Sequence, residues 1–260
     1  MPRRVSSYDV GPDHRLTIPG LLRQLHDTAQ AHAAGYGFGY RGLLERGQAW
    51  ALVCIDLGFG GSEGSRERSL PLGETSFEVA TSVYRATGPL VLRDYRATDA
   101  EGRVFARGQS MWALIDLETR CTAKVGADLR DALSRIATDE LNDRRVRRLP
   151  ADEKTLGGNI AHVRMHECDF NGHLNNVAAV QRMLDELYGE LVVPEDLDPE
   201  SPYRTLEGVR LSPKRLRVCY HHEALFDERV DGVAVCGPQE HRMELWGLDE
   251  RLICNAVLEV

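Results

Sequence analysis

The 260-residue chain has no apolar run near the roughly 20 residues that a bilayer span needs, which excludes an obvious transmembrane helix. It has no Cys-x-x-Cys pair either. Its six cysteines, Cys54, Cys121, Cys168, Cys219, Cys236 and Cys254, are scattered. That spacing fits neither a disulfide framework nor a structural zinc site, and predicts reduced, buried thiols. Also missing are a phosphate-binding loop, a Gly-x-Ser-x-Gly elbow and a His-Glu-x-x-His pair. Positive charge is in deficit. A formal net charge of −8 argues against nucleic acid or an anionic membrane as the main partner. Met1-Pro2-Arg3-Arg4 leads into patterned sequence with no apolar signal region, so a soluble cytoplasmic protein without metal or cofactor is expected.

What is present is a core and a repeat. The hydrophobic content of 42% is enough to bury a substantial interior. Each half opens with a short predicted strand (Val5–Val10; Ala161–Met165), a polar turn and an amphipathic helix. Leu21, Leu22, Leu25, Ala29 and His32 share one helical face, and Val177, Val180, Met183, Leu184 and Leu187 share the other. Hairpins then echo each other. Leu92–Ala97 and Val104–Ile115 follow Gly88-Pro89, and His241–Trp246 and Leu252–Val260 follow Gly237-Pro238. The pattern predicts two α+β modules, 1–126 and 159–260, each a helix packed on antiparallel strands. The connector, 127–158, begins with helical spacing at Leu129, Leu133, Ile136 and Leu141 and ends in a basic run closed by Pro150.

Gly37-Phe38-Gly39-Tyr40-Arg41-Gly42 fits a dinucleotide fingerprint literally, but it follows a helix rather than a strand and reads as a loop. His221-His222 cannot chelate as one unit, because neighbours on a strand point to opposite faces. The informative stretch is Asp169-Phe170-Asn171-Gly172-His173-Leu174-Asn175-Asn176, which places a carboxylate, an amide and an imidazole at the mouth of a helix. Asp and Asn also fill turns and cap helices, so these residues alone leave capping and chemistry equally open.

Those residues, together with Ser7-Tyr8-Asp9-Val10-Gly11-Pro12-Asp13, Leu25-His26-Asp27-Thr28-Ala29, Trp50-Ala51-Leu52 and Ser110-Met111-Trp112-Ala113-Leu114-Ile115, resemble the acyl-acyl carrier protein thioesterases of plants and bacteria. The likeness runs over nearly the whole chain and is strongest in the Asp-x-Asn-x-His-x-Asn-Asn signature. It implies a double hotdog, two tandem modules each with a long helix wrapped by an antiparallel sheet. It also implies catalytic roles for Asp169, Asn171 and His173, with Glu223 matching a glutamate on a later strand. Ala224 stands where the plant enzymes have cysteine, which puts a covalent cysteine mechanism in doubt.

The expected chemistry is thioester hydrolysis by water. Asp169 or Glu223 would act as base, with direct attack by Asp169 to give an anhydride as the alternative, Asn171 would position water or carbonyl, and His173 would orient that network or carry a proton. Helix N–H groups at Leu174 and Asn175 would bind the oxyanion. Trp50, Leu52, Met111 and Trp112 are the candidates for an acyl slot in the first module. An acidic carrier protein calls for basic docking residues, with Arg144, Arg145, Arg147 and Arg148, or Lys214, Arg215 and Arg217, as candidates. An acyl-CoA thioesterase, a MaoC-type hydratase or dehydratase, and a non-catalytic acyl-binding hotdog protein are the competing readings. A homodimer is left open.

Overall fold

The computed structural model describes residues 1–60, 70–136, 146–150, 158–191 and 211–260. The first half contains β1 (Pro2–Arg4), α1 (Ile18–Ala34), α2 (Tyr40–Leu44), β2 (Gln48–Phe59), β3 (Ser76–Thr87), β4 (Leu90–Asp99) and β5 (Val104–Asp116). After α3 (Ala127–Ile136) come β6 (Asn159–His162), α4 (Asn176–Leu191), β7 (Arg215–Tyr220), β8 (Arg229–Cys236), β9 (Glu240–Gly247) and β10 (Leu252–Glu259). The ten strands make one antiparallel sheet in the order β1-β3-β4-β5-β2-β7-β10-β9-β8-β6. That order is the same five-strand arrangement written outwards in both directions from the β2–β7 seam. The seam pairs Cys54 with Cys219 and Asp56 with Arg217. The molecule is thus an α+β double hotdog whose two sheets are continuous.

The two long helices form where the apolar spacing predicts them. Thr17 caps α1 by accepting the Gly20 N–H, and Pro19 falls in the first turn, where its missing donor costs nothing. Val177, Val180, Met183, Leu184 and Leu187 of α4 are all buried, and Leu21, Leu22, Leu25 and Ala29 of α1 join them in one core cluster. Each of these Val, Leu and Met side chains contributes about 1.5–3 kcal/mol of burial. Both opening strands lie earlier than the sequence suggests. Ser6 accepts the Tyr8 N–H and tightens residues Ser7–Asp9 into a 3-10 turn, and Met165–Glu167 form its counterpart. Only Pro2–Arg4 and Asn159–His162 remain extended, pairing with β3 and β8.

The loop after α1 is built by close packing. A Cβ on Gly42 would sit 2.2 Å from the Gly37 carbonyl oxygen, so only glycine lets α2 fold back onto the end of α1. On the sheet face away from the helices, residues 146–150 lie across the seam. Val146 N–H bonds Gln109 Oε1 at 3.0 Å, Leu149 N–H bonds Cys219 Sγ at 3.1 Å, and Asn255 Nδ2 bonds Pro150 O at 2.8 Å. Leu141 of the expected connector helix lies outside the described residues.

Candidate active site

The chain builds the same loop twice, with the Asp-x-Asn-x-His set in the second copy and Gly11, Asp13 and Arg15 at the matching positions of the first. Gly11 N–H bonds Arg15 O at 2.9 Å, and Asp169 N–H bonds His173 O at 2.8 Å. Leu16 N–H bonds Pro71 O at 2.7 Å, and Leu174 N–H bonds Ala224 O at 2.8 Å. Thr17 N–H to Asp9 O and Asn175 N–H to Glu167 O complete the match, both at 2.8 Å. Asp169, Asn171, His173 and Glu223 therefore correspond to Gly11, Asp13, Arg15 and Leu70. The turn needs a left-handed residue: Gly172 has φ +77°, and the first copy places His14 at φ +60°.

Asp169 organises its own turn. Its Oδ1 accepts the Asn171 N–H at 2.8 Å and the His173 N–H at 3.2 Å. Glu167 ties the loop to α4 through a two-pronged pair with Arg182 at 2.6 and 2.7 Å. Burial works to raise the Glu167 carboxyl, and the Arg182 guanidinium outweighs it, so the group stays below the usual carboxylate range.

His173 is mostly buried, with its Nδ1 3.5 Å from Glu223 Oε1. The other oxygen of Glu223 receives Arg120 Nη2 at 2.5 Å, a contact that spans 103 residues and joins the two halves. Arg120 sits at φ +57° in the turn after β5. The Thr119 N–H and hydroxyl bind Asp116 in that turn and hold its carboxyl below the usual range. Arg251 Nη1 donates to the Glu223 carbonyl from β10's leading edge. Tyr40 of α2 lies with its ring 4.0 Å from that of Phe170. Arg120, Tyr40 and Arg251 were not among the residues expected here. Contacts between distant segments leave no local signal in a sequence.

The two backbone donors expected to bind an oxyanion are already engaged. Leu174 N–H bonds Ala224 O, and Asn175 N–H bonds Glu167 O. Neither donor is free for substrate, because the loop needs both to close. Asn175 instead caps α4, its Oδ1 accepting the Val177 N–H at 2.8 Å. The amide of Asn171 lies on the exposed side of the turn.

Ala224 is 1% exposed and belongs to the core beneath α4. A thiol at this position would start from a buried Cβ. Ala224→Cys is therefore expected to change the rate of thioester cleavage by less than about threefold, with stability altered by under about 1.5 kcal/mol. A much faster variant, whose introduced thiol an alkylating agent traps during turnover, would contradict this.

Trp50 and Trp112 line a cavity between α1 and the first half of the sheet. Leu52 is buried in β2 without lining it, and Met111 packs against the Val53–Cys54–Ala113 cluster on the other face. Of the basic candidates, Arg147 and Arg148 are exposed, while Arg144 and Arg145 lie outside the described residues. Arg215 is engaged with Asp56 at 2.5 and 2.7 Å, Arg217 with Glu259 at 3.5 Å, and Lys214 Nζ with the Val260 carbonyl at 2.5 Å. Among the described residues no three His, Cys, Asp or Glu side chains gather as a metal site, and no helix is long and apolar enough to cross a membrane.

A family profile described as "Acyl-ACP thioesterase N-terminal domain" matches residues 3–133. The chain is 23% identical over 207 residues to a chloroplastic palmitoyl-acyl carrier protein thioesterase from Cuphea hookeriana, covering 74% of this chain and 48% of that one. It is 28% identical over 213 residues to a chloroplastic oleoyl-acyl carrier protein thioesterase from Coriandrum sativum, covering 75% and 55%. The chain thus spans about half the length of the curated relatives it matches. Its fold is similar to that of an acyl-ACP thioesterase from Bacteroides thetaiotaomicron, with a TM-score of 0.78 at 20% identity over 100% of this chain and 96% of the other. A 12:0-ACP thioesterase from Umbellularia californica gives 0.77 at 18% identity, again over 100% and 96%.

Proposed function

This chain belongs to the acyl-ACP thioesterase family, and on that premise we propose that it hydrolyses the thioester of a fatty acyl group held on acyl carrier protein. The products are the free fatty acid and the carrier's thiol. The observation that carries this reading is the grouping of His173, Glu223 and Arg120 where the second copy of the loop meets the first half. On this reading residues 1–126 hold the acyl chain, 127–158 connect, and 159–260 supply the chemistry.

Glu223 is the general base. It takes a proton from water as the water oxygen attacks the thioester carbon. Arg120 holds one oxygen of Glu223 and so fixes the other toward His173. It acts as a positioning residue contributed by the first half. Asn171 places the water or the carbonyl through its exposed amide, and His173 takes the water's proton from Glu223 Oε1 at Nδ1 and delivers the proton on Nε2 to the departing thiolate. Oδ2 of Asp169, which accepts no bond from the turn's N–H groups, holds the water against the turn. No cysteine takes part.

The carrier is acidic, and Arg147 and Arg148 on the pinned connector are the exposed cations offered to it. The test compares kcat/KM for one acyl group on carrier protein and on coenzyme A. The carrier-bound substrate is expected to win. Arg147→Glu/Arg148→Glu is expected to raise KM for it by about tenfold, with little change for a small thioester. Equal effects on both substrates would remove the docking role. A preference for coenzyme A would favour the acyl-CoA thioesterase reading.

A further inference from the structure

The cavity beside α1 is not the plain apolar slot that an alkyl chain needs. Trp50, Trp112, Phe38 and Leu129 supply apolar wall, but His26, His32 and Arg93 line it too. Arg93 is 6% exposed. It donates Nη1 to Thr81 Oγ1 at 3.1 Å and lies 3.2 Å from His32 Nδ1. An arginine has only donors, so His32 Nδ1 is the acceptor and its proton sits on Nε2. Among the described residues no carboxylate comes within ion-pair distance of Arg93. His26 packs edge-on against Trp112, with centroids 5.7 Å apart, and its Nε2 is buried with no hydrogen-bond partner.

A buried cation with no counter-ion among the described residues and a buried imidazole nitrogen, His26 Nε2, with no partner among them are both costly. An alkyl tail would seal them from water and relieve neither. An oxygen on the ligand would relieve both. Burial depresses His26 to about 4, so its ring is neutral at pH 7 and can donate to such an oxygen. Phe38 lines the cavity, and the ring of Tyr40, two residues on, lies 4.0 Å from that of Phe170 in the second loop, tilted by 49°.

We propose that the acyl group this protein takes carries an oxygen acceptor beyond its thioester, a hydroxyl, keto or carboxylate group, held by Arg93 and His26. This rests on the thioesterase reading for the identity of the chain as an acyl group. It does not rest on that reading for the preference itself.

Trp50 and Trp112 make the cavity its own reporter. Methyl esters of one chain length, plain, hydroxylated, keto-substituted or ending in a carboxylate, are titrated while tryptophan fluorescence is read. At least one oxygenated ester is expected to bind roughly ten- to a hundredfold tighter than the plain one, the worth of one charge-assisted bond. Arg93→Met should erase that preference. His26→Leu, which removes no charge, should reduce it and serves if the arginine variant does not fold. Equal or tighter binding of the plain ester by the wild-type protein would overturn the proposal. So would a preference left unchanged in a folded variant. Release of thiol from acyl carrier protein is measured in parallel. Its absence alongside a retained ester preference would sink the thioesterase reading and leave this one standing.

Discussion

Glu223→Gln is expected to lower kcat for thioester hydrolysis by about 10²–10⁴-fold while leaving KM within about threefold. Glutamine keeps the size of the side chain and can still accept from Arg120, but it cannot take a proton from water. The wild-type carboxylate is held from two sides, with Arg120 on Oε2 and His173 3.5 Å from Oε1. The loss should therefore be one of chemistry rather than of binding. Thiol release under saturating substrate reads kcat directly. A variant that keeps more than about a third of the wild-type rate would place the base elsewhere, with Asp169 next in line.

Asp169→Asn should cost about 10²-fold or more in kcat with the fold intact. The structure makes this substitution unusually clean. The two bonds that shape the turn, from the Asn171 and His173 N–H groups, both go to Oδ1, and an asparagine Oδ1 can still accept both, though without the help of the charge. What disappears is the charge and one acceptor. An unchanged melting temperature with lost activity would mark Asp169 as chemical. Full activity in the folded variant would make it a turn residue and nothing more.

Much of this was legible in the sequence. The apolar faces of α1 and α4, the doubled helix-and-hairpin plan and the loop at Asp169 are all local patterns, set by spacing over a few residues. The failures share a cause: each depends on what a group meets far away in the chain. Leu174 and Asn175 present N–H groups at a helix mouth, but the sequence does not say that the carbonyls of Ala224 and Glu167 take them. Arg215 looks like a surface cation until Asp56 arrives from the neighbouring strand at the seam. Arg120 lies 103 residues from its partner Glu223. The equivalence of Glu223 with Leu70 shows only in the matched backbone bonds, because the two copies share geometry rather than residues.

The double hotdog by itself does not separate hydrolysis from hydration, since fold does not fix function. What separates them is the outcome for the thioester. The deciding measurement incubates the protein with acyl carrier protein bearing a saturated or an enoyl chain and follows free thiol, free fatty acid and enoyl absorbance together. Thiol and fatty acid are expected in equal amounts, with enoyl absorbance untouched except through hydrolysis, and release slowed by about 10²–10⁴-fold in Glu223→Gln. Loss or gain of enoyl absorbance with the thioester still intact would contradict it and assign the His173–Glu223 site to a hydratase.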